Sequence, residues 1–230
     1  MESEPIVILG GTGDQGLGLA LRFAKAGRPV VIGSRKAERA QAAAQEVRSK
    51  VSGARVEGLE NADAAARGET VILSVPFEHV AATLKGVRAA LRPGQIVVSM
   101  AVPLATAIGD GAARTLGVWQ GSCAELAASL VPKGVTVVSA FQNVSAHRLL
   151  ELDRAVECDV VVSGEREARE RVMALCELVP GLRGIDGGGL SSARIVESLT
   201  ALLIGLNVRY GVPAGAGLRF TGLPGRAGDA

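Results

Sequence analysis

Gly11, Gly13 and Gly16 stand in the order Gly-x-Gly-x-x-Gly, directly after the apolar run Ile6-Val-Ile-Leu9 and before a stretch, residues 17–26, with helical spacing of apolar side chains. A glycine turn between a strand and a helix suits the pyrophosphate of a dinucleotide. Gly11 is expected to permit the tight turn, Gly13 to let a phosphate approach the backbone, and Gly16 to let helix and strand pack closely. The unpaired N–H groups that open the helix would face the phosphates. The next strand, residues 29–32, ends in Gly33-Ser34-Arg35-Lys36, with Arg39 one turn further on, where an NAD-binding unit places an acid for the ribose. A carboxylate there would repel a 2′-phosphate. A hydroxyl and guanidinium groups would hold one, so Ser34, Arg35 and Arg39 point to NADP(H). The plainer alternative is a helix start, with Ser34 as N-cap and solvated basic side chains behind it.

Such a turn needs a parallel sheet to hold it. Strand patterns at residues 6–9, 29–32, 71–75, 96–99 and 135–140 alternate with helical patterns at 17–26, 37–49 and 78–91, and with a helix ending at 126–130. Short apolar runs separated by helices mark strands buried on both faces. Residues 101–122 are rich in Gly and Ala and weakly periodic; they are expected to form a long loop with about one helical turn over the cofactor end of the sheet. From Cys158 a smaller unit follows, with strands at 159–163 and 182–185, a helix at 165–178 and a last helix at 191–209. The reading is an α/β chain, a Rossmann-type doubly wound and mainly parallel sheet. Residues 1–156 form the NADP-binding domain and 157–230 a small C-terminal α/β unit. Ligands of such sheets lie beyond the carboxyl ends of the strands, so residues 74–77, 99–103 and 139–144 form the candidate rim.

Composition narrows the chemistry. With 230 residues and a net charge of +2, the chain suits a globular protein and points to neither nucleic acid nor an acidic membrane surface. Residues 1–5 are too short and acidic for a signal peptide and no apolar run spans a membrane, so a cytoplasmic protein is expected. Cys123, Cys158 and Cys176 lie in apolar surroundings and read as reduced core thiols; neither they nor His79 and His147 show metal-ligand spacing. Lys25, Lys36, Lys50, Lys85 and Lys133 are the only lysines, and none stands four residues after the single Tyr210. That removes the Tyr-x-x-x-Lys pair of short-chain dehydrogenases and the helix-borne lysine of hydroxyacid dehydrogenases. A carbonyl–alcohol reaction needs a proton donor, whereas hydride exchange between two ring cofactors needs mainly proximity and orientation.

The chain resembles the NADPH-dependent coenzyme F-420 reductases nearly end to end. The likeness rests on Gly10-Gly-Thr-Gly13 with Gly16 and Gly18, Gly33-Ser-Arg35, Ser74-Val-Pro-Phe-Glu-His79, Ser99 through Pro103, Val137-Val-Ser-Ala140, Arg194-Ile-Val-Glu-Ser-Leu-Thr200 and Gly215-Ala-Gly-Leu-Arg-Phe220. It implies hydride transfer between NADP(H) and the 5-deazaflavin coenzyme F-420, with no protein nucleophile or metal. It places Thr12, Gly13, Asp14 and Gln15 along the pyrophosphate and Ser34, Arg35 and Arg39 on the 2′-phosphate. Phe77 and Ala81 would flank the cofactor, and Leu104 and Ala146 would lie nearer the nicotinamide. The deazaflavin would sit between the loop after Ala140, the helix carrying Arg194, Ser198 and Thr200, and the tail around Ala216. Archaeal members carry a histidine near the deazaflavin where this chain has Gln142, which hydrogen-bonds but does not titrate near neutrality. Without the resemblance, the last helix reads equally as one packed on the sheet with Arg194 and Glu197 paired on the surface. The resemblance also implies a homodimer, with the apolar stretch 199–206 either its contact surface or core. A reductase of a flavin or flavin-bound ferric complex, and a non-catalytic NADP(H) sensor, are the alternatives the sequence leaves open.

Overall fold

The computed structural model describes residues 4–223; the first three residues of the segment 1–5 and the last seven of the C-terminal unit lie outside the described residues. Strands β1 (Ile6–Leu9), β2 (Val30–Ser34), β3 (Val56–Glu60), β4 (Thr70–Leu73), β5 (Ile96–Ser99) and β6 (Thr136–Ser139) pair in parallel. β7 (Cys158–Gly164) joins β6 antiparallel, through the pairs Val138–Gly164 and Ser139–Ser163, and β8 (Leu182–Asp186) lies parallel to β7. The order is β3-β2-β1-β4-β5-β6-β7-β8, a doubly wound α/β sheet whose direction of winding reverses between β1 and β4. That reversal opens a crevice beyond the carboxyl ends of those two strands.

Successive strand residues feed two cores. Ile6, Ile8 and Ile32 meet Leu19 and Phe23 of α1 (Asp14–Lys25) and Ala44 of α2 (Ala37–Lys50), whereas Val7, Leu9 and Leu73 meet Val80 and Leu84 of α4 (Phe77–Val87) and Ala127 of α5 (Cys123–Leu130). With both faces covered, β1 is apolar and buried at every position, and each large side chain buried contributes about 1.5–3 kcal/mol. The three cysteines are buried free thiols, as their surroundings suggested.

Two elements escape the sequence pattern. β3 reads Val-Glu-Gly-Leu-Glu, with exposed acids at Glu57 and Glu60 and a glycine at its centre. A Cβ on Gly58 would lie 2.3 Å from the Ala40 carbonyl, so the glycine is there to let α2 lie directly on the strand. A short helix, α6 (Ala146–Leu150), follows the loop after β6 and packs on α1. The long segment after β5 is a loop with a 3-10 turn, Ala105–Ile108, and one isolated bridge between Leu104 and Thr115. The remaining helices are α3 (Asn61–Ala65), α7 (Arg166–Cys176) and α8 (Ala193–Tyr210).

Candidate active site

At the end of β1 the chain turns through Gly10 at φ +75°, where an added Cβ would lie 2.3 Å from the Ser74 carbonyl oxygen. The left-handed residue of the turn is therefore Gly10, and Gly11 follows it within the turn that the Gly13 N–H closes on the Gly10 carbonyl at 3.2 Å. Gly11 is close-packed, 3.0 Å from the Ile8 carbonyl to a built Cβ. Gly16 carries the helix onto the turn, since a Cβ there would meet the Gly11 Cα at 2.7 Å. Gly13 is exposed and caps α1, whose first internal bond runs from Leu17 N to Gly13 O at 2.8 Å. The amides of Asp14, Gln15 and Gly16 precede that bond and are free for an anion, with half-buried Thr12 beside them. The Asp14 carboxylate is exposed at the helix start, so only its N–H suits a phosphate. The Gln15 side chain reaches across instead: Nε2 donates to the carbonyls of Phe141 at 3.0 Å and Val144 at 3.2 Å. Buried Phe141 has φ 68°, a strained setting for a bulky residue, and this bond helps to hold it.

Ser34 closes β2 and is buried, while the N-cap of α2 is Lys36; Ser34 is not the helix cap. Arg35 and Arg39 are exposed, and neither guanidinium has a hydrogen-bond or ion-pair partner among the described residues. Ser34 and Arg35 border a cavity of about 250 Å³ between the ends of β2 and β3 and helix α4, shared with Asn61, His79 and Thr83. Sequence reasoning missed those three: with β3 unread, Asn61 had no place, and His79 was one residue of a motif without a role. Arg39 lies one turn along α2, outside that lining. Half-buried Phe77 opens α4 and packs on the core, and Ala81 is half-buried on the same helix; the cavity touches Ala82 and Thr83 instead.

Beyond the ends of β1, β4 and β5 lies a second cleft of about 370 Å³. It brings together Gly13, Asp14, Gln15, Leu104, Gln142 and Thr200, with the strand ends 74–76 and 100–102 as its rim. Thr106 of the 3-10 turn also lines it and was not foreseen. Gln142 is buried; its Nε2 donates to Ser139 Oγ, and its Oε1 has no hydrogen-bond partner among the described residues. An unused acceptor at this wall fits a ring that presents an N–H. Thr200 Oγ1 donates to the Gln142 carbonyl at 3.0 Å. Arg194 and Ser198 are exposed on α8, outside the cleft lining: Arg194 Nε donates to Ser191 O at 3.1 Å and Ser198 Oγ to Arg194 O at 2.9 Å. Glu197 is not paired with Arg194 at the surface; it is buried and takes backbone N–H groups of α5. A larger hollow of about 800 Å³, near Lys25, Lys50 and residues 150–154, borders none of these groups.

Ala146 opens α6, and that helix is held by a buried arginine. Arg22 donates to the carbonyls of Leu149, Arg148, Glu151 and Arg154 at 2.6–2.9 Å, satisfying the end of α6 from α1. Ala216 lies on the C-terminal tail, its N–H donating to Asn207 Oδ1 at 2.7 Å, and Ser145 Oγ donates to Ala214 O at 2.8 Å. The tail is fixed by Asp159, which has no exposed surface. Its carboxylate accepts from Arg183 Nε at 2.9 Å and Nη2 at 2.6 Å, Arg219 Nη1 at 2.8 Å and the Phe220 N–H at 2.7 Å. Burial alone would raise its pKa, but these donors outweigh burial and bring it down to about 2. No group of three or more His, Cys, Asp or Glu is arranged to hold a metal among the described residues.

The family described as NADP oxidoreductase, coenzyme F420-dependent, matches residues 5–103. The chain is 48% identical over 223 residues to the F420-dependent NADP reductase of Methanocaldococcus jannaschii, covering 95% of this chain and 98% of that one. It is 46% identical over 226 residues to the same-named protein of Methanothermobacter thermautotrophicus, covering 95% of each. A crystal structure from Arthrobacter sp. FB24, named as a candidate F420-dependent NADP-reductase, superposes with a TM-score of 0.79 at 26% identity, over 95% of this chain and 99% of that one. An imine reductase from Aspergillus terreus, TM-score 0.60 at 18% identity over 92% of this chain and 64% of that one, shares the fold. With near-half identity over almost the whole of both chains, and a glycine turn and second cleft where such a protein needs them, this chain belongs to the F420-dependent NADP reductase family.

Proposed function

We propose that this chain transfers a hydride directly between NADP(H) and coenzyme F-420. The lining of the 370 Å³ cleft carries the reading: it joins the glycine turn to Gln142 and Thr200 and includes no lysine, histidine, tyrosine or cysteine. Of the lining residues only Asp14 titrates, and it is exposed at the start of α1, whereas two facing rings need no proton donor and have only to be held in contact. When bound, the nicotinamide and the deazaflavin supply the donor and acceptor carbons. The first amides of α1, with Thr12, hold the pyrophosphate. Ser34, Arg35 and Arg39 hold the 2′-phosphate, for which the unpartnered guanidinium groups are suited. Phe77 and Ala81 flank the dinucleotide, Leu104 and Ala146 lie toward the nicotinamide, and the apolar rim of Met100, Ala101 and Val102 excludes water. Gln142 and Thr200 meet the second ring, with Arg194, Ser198 and Ala216 toward its substituents. In this reading residues 1–156 bind the dinucleotide and 157–230 complete the second-ring side.

The expected outcome is NADPH oxidation by coenzyme F-420, followed by visible absorbance, with far slower turnover on FMN or FAD. Comparable turnover on a flavin would replace the second substrate, and NADPH binding without turnover on any ring would replace catalysis by sensing.

A cytoplasmic homodimer completes the proposal. Among the described residues no helix is long and apolar enough to cross a membrane. α8 leaves Ile195 67% and Leu202 57% exposed, a face suited to a second copy. Sedimentation at twice the chain mass is expected; a monomer overturns the pairing.

A further inference from the structure

Glu197 is the buried acid that the proposed hydride transfer does not use. It lies on α8, is 2% exposed, and accepts from two backbone amides of α5: Cys123 N–H at 2.9 Å to Oε2 and Ala124 N–H at 3.1 Å to Oε1. The third amide of α5, on Glu125, goes to the N-cap hydroxyl of Ser122 at 3.0 Å. All three opening amides of α5 are thus capped, two of them by a residue from another helix 74 and 73 positions away. Three residues after Glu197, Thr200 donates to the Gln142 carbonyl at the wall of the cleft. α8 is therefore pinned at two points less than one turn apart, once to α5 and once to the loop after β6. A helix held this way can neither rotate nor slide without breaking one of them.

We propose that Glu197 is a positioning residue for the second ring, fixing the rotation and height of α8 so that Thr200 and the Gln142 loop hold their places in the cleft. The inference rests on the second ring lying against Gln142 and Thr200. Two equal acceptors are available only when the carboxylate is ionised, since the protonated group keeps one good acceptor and adds a donor that faces N–H groups. Burial raises its pKa to about 7, with the Glu125 carboxylate adding to the rise and the amides and the Cys123 thiol opposing it. These two α5 groups are the titratable ones that act on it, and the 3-10 turn Leu190–Ser192 packed before α8 carries none. The grip of α8 on α5 thus changes within the neutral range.

The test compares Glu197→Gln, Thr200→Val and the double variant for KM with coenzyme F-420, kcat, and NADPH affinity by fluorescence. Each single variant is expected to raise KM for coenzyme F-420 about 5- to 20-fold with NADPH affinity within twofold of wild type. The double variant should do little more than either, because one route is cut twice. The ratio of variant to wild-type KM should also shrink as pH falls from 8 to 6. Thr200→Val without effect would remove the placement of the ring itself. Thr200→Val with effect and Glu197→Gln without would overturn the role of Glu197 alone, as would multiplicative losses or an equal loss of NADPH affinity. Should Glu197→Gln not fold, hydrogen exchange of the wild type decides. Amides 123–124 and 198–203 should change protection together between pH 8 and pH 6, after correction for intrinsic rates, and unchanged protection, or a change confined to one of the two segments, overturns the proposal.

Discussion

The glycine turn and the side of the cleft that carries Gln142 and Thr200 border the same space, yet one is made of backbone and the other is held by buried charge. Residues 10–16 work through the absence of side chains: a left-handed Gly10, an open Gly13 and a close-packed Gly16. The elements beyond Gln142 and Thr200 are joined over long stretches of the chain, and each joint is a polar side chain without solvent. Arg22 holds α6, Asp159 holds the tail and Glu197 holds α8. At Gly10 and Gly16 there is no room for an added atom, whereas a charge-pinned site fails when a single partner is removed. Dinucleotide binding and second-ring binding should therefore separate cleanly under mutation.

The largest expected effect is at Asp159. Asp159→Ala leaves Arg183 and Arg219 without their shared carboxylate, and stability to urea should fall by about 3–5 kcal/mol. KM for coenzyme F-420 should rise as the tail loosens, with NADPH affinity retained in the folded fraction. Loss of both affinities together would break the contrast between the two walls. Because its folded pKa is lowered to about 2, Asp159 contributes stability above the unfolded value of about 3.9, and that contribution is lost as pH falls toward 2. Glu197 has the opposite sign. Its pKa is raised from 4.5 to about 7, so the folded state holds the proton more tightly than the unfolded chain. Stability should fall as pH rises from about 4.5 to about 7, by on the order of 3 kcal/mol, and Glu197→Gln should remove that slope. A variant curve parallel to wild type would reject the shift. The smallest effect is on the backbone side, where Arg35→Ala should weaken NADPH by about 1.5–3 kcal/mol and leave NADH nearly unchanged. Equal losses for both dinucleotides would take the 2′-phosphate away from Arg35.

Legibility followed the same division. Strand β1, the glycine turn and the basic end of β2 were readable because all their determinants lie within about thirty residues, in patterns set by period and by the special freedom of glycine. Even there, the left-handed residue is Gly10, with Gly11 close-packed inside the turn. The triplet spacing does not say where the strand ends, and only the packing of Ser74 against the turn fixes it. β3 was missed because two of its five residues are exposed acids and its central glycine answers to α2, not to the sheet. At Arg194 and Glu197, helical spacing allowed a surface pair, and nothing local could show that α5 would arrive with two free amides.

The sequence by itself determined the α/β winding, the glycine turn and the basic, acid-free end of β2, since periodicity, glycine spacing and local charge act over short distances. Only the tertiary structure decided that Glu197 is buried, that Asp159 gathers two arginines 24 and 60 residues away, and that Thr200, not Arg194, reaches the cleft. A charged residue reads as solvated until the fold removes its water, and whether it then finds partners depends on chain segments that no local pattern connects.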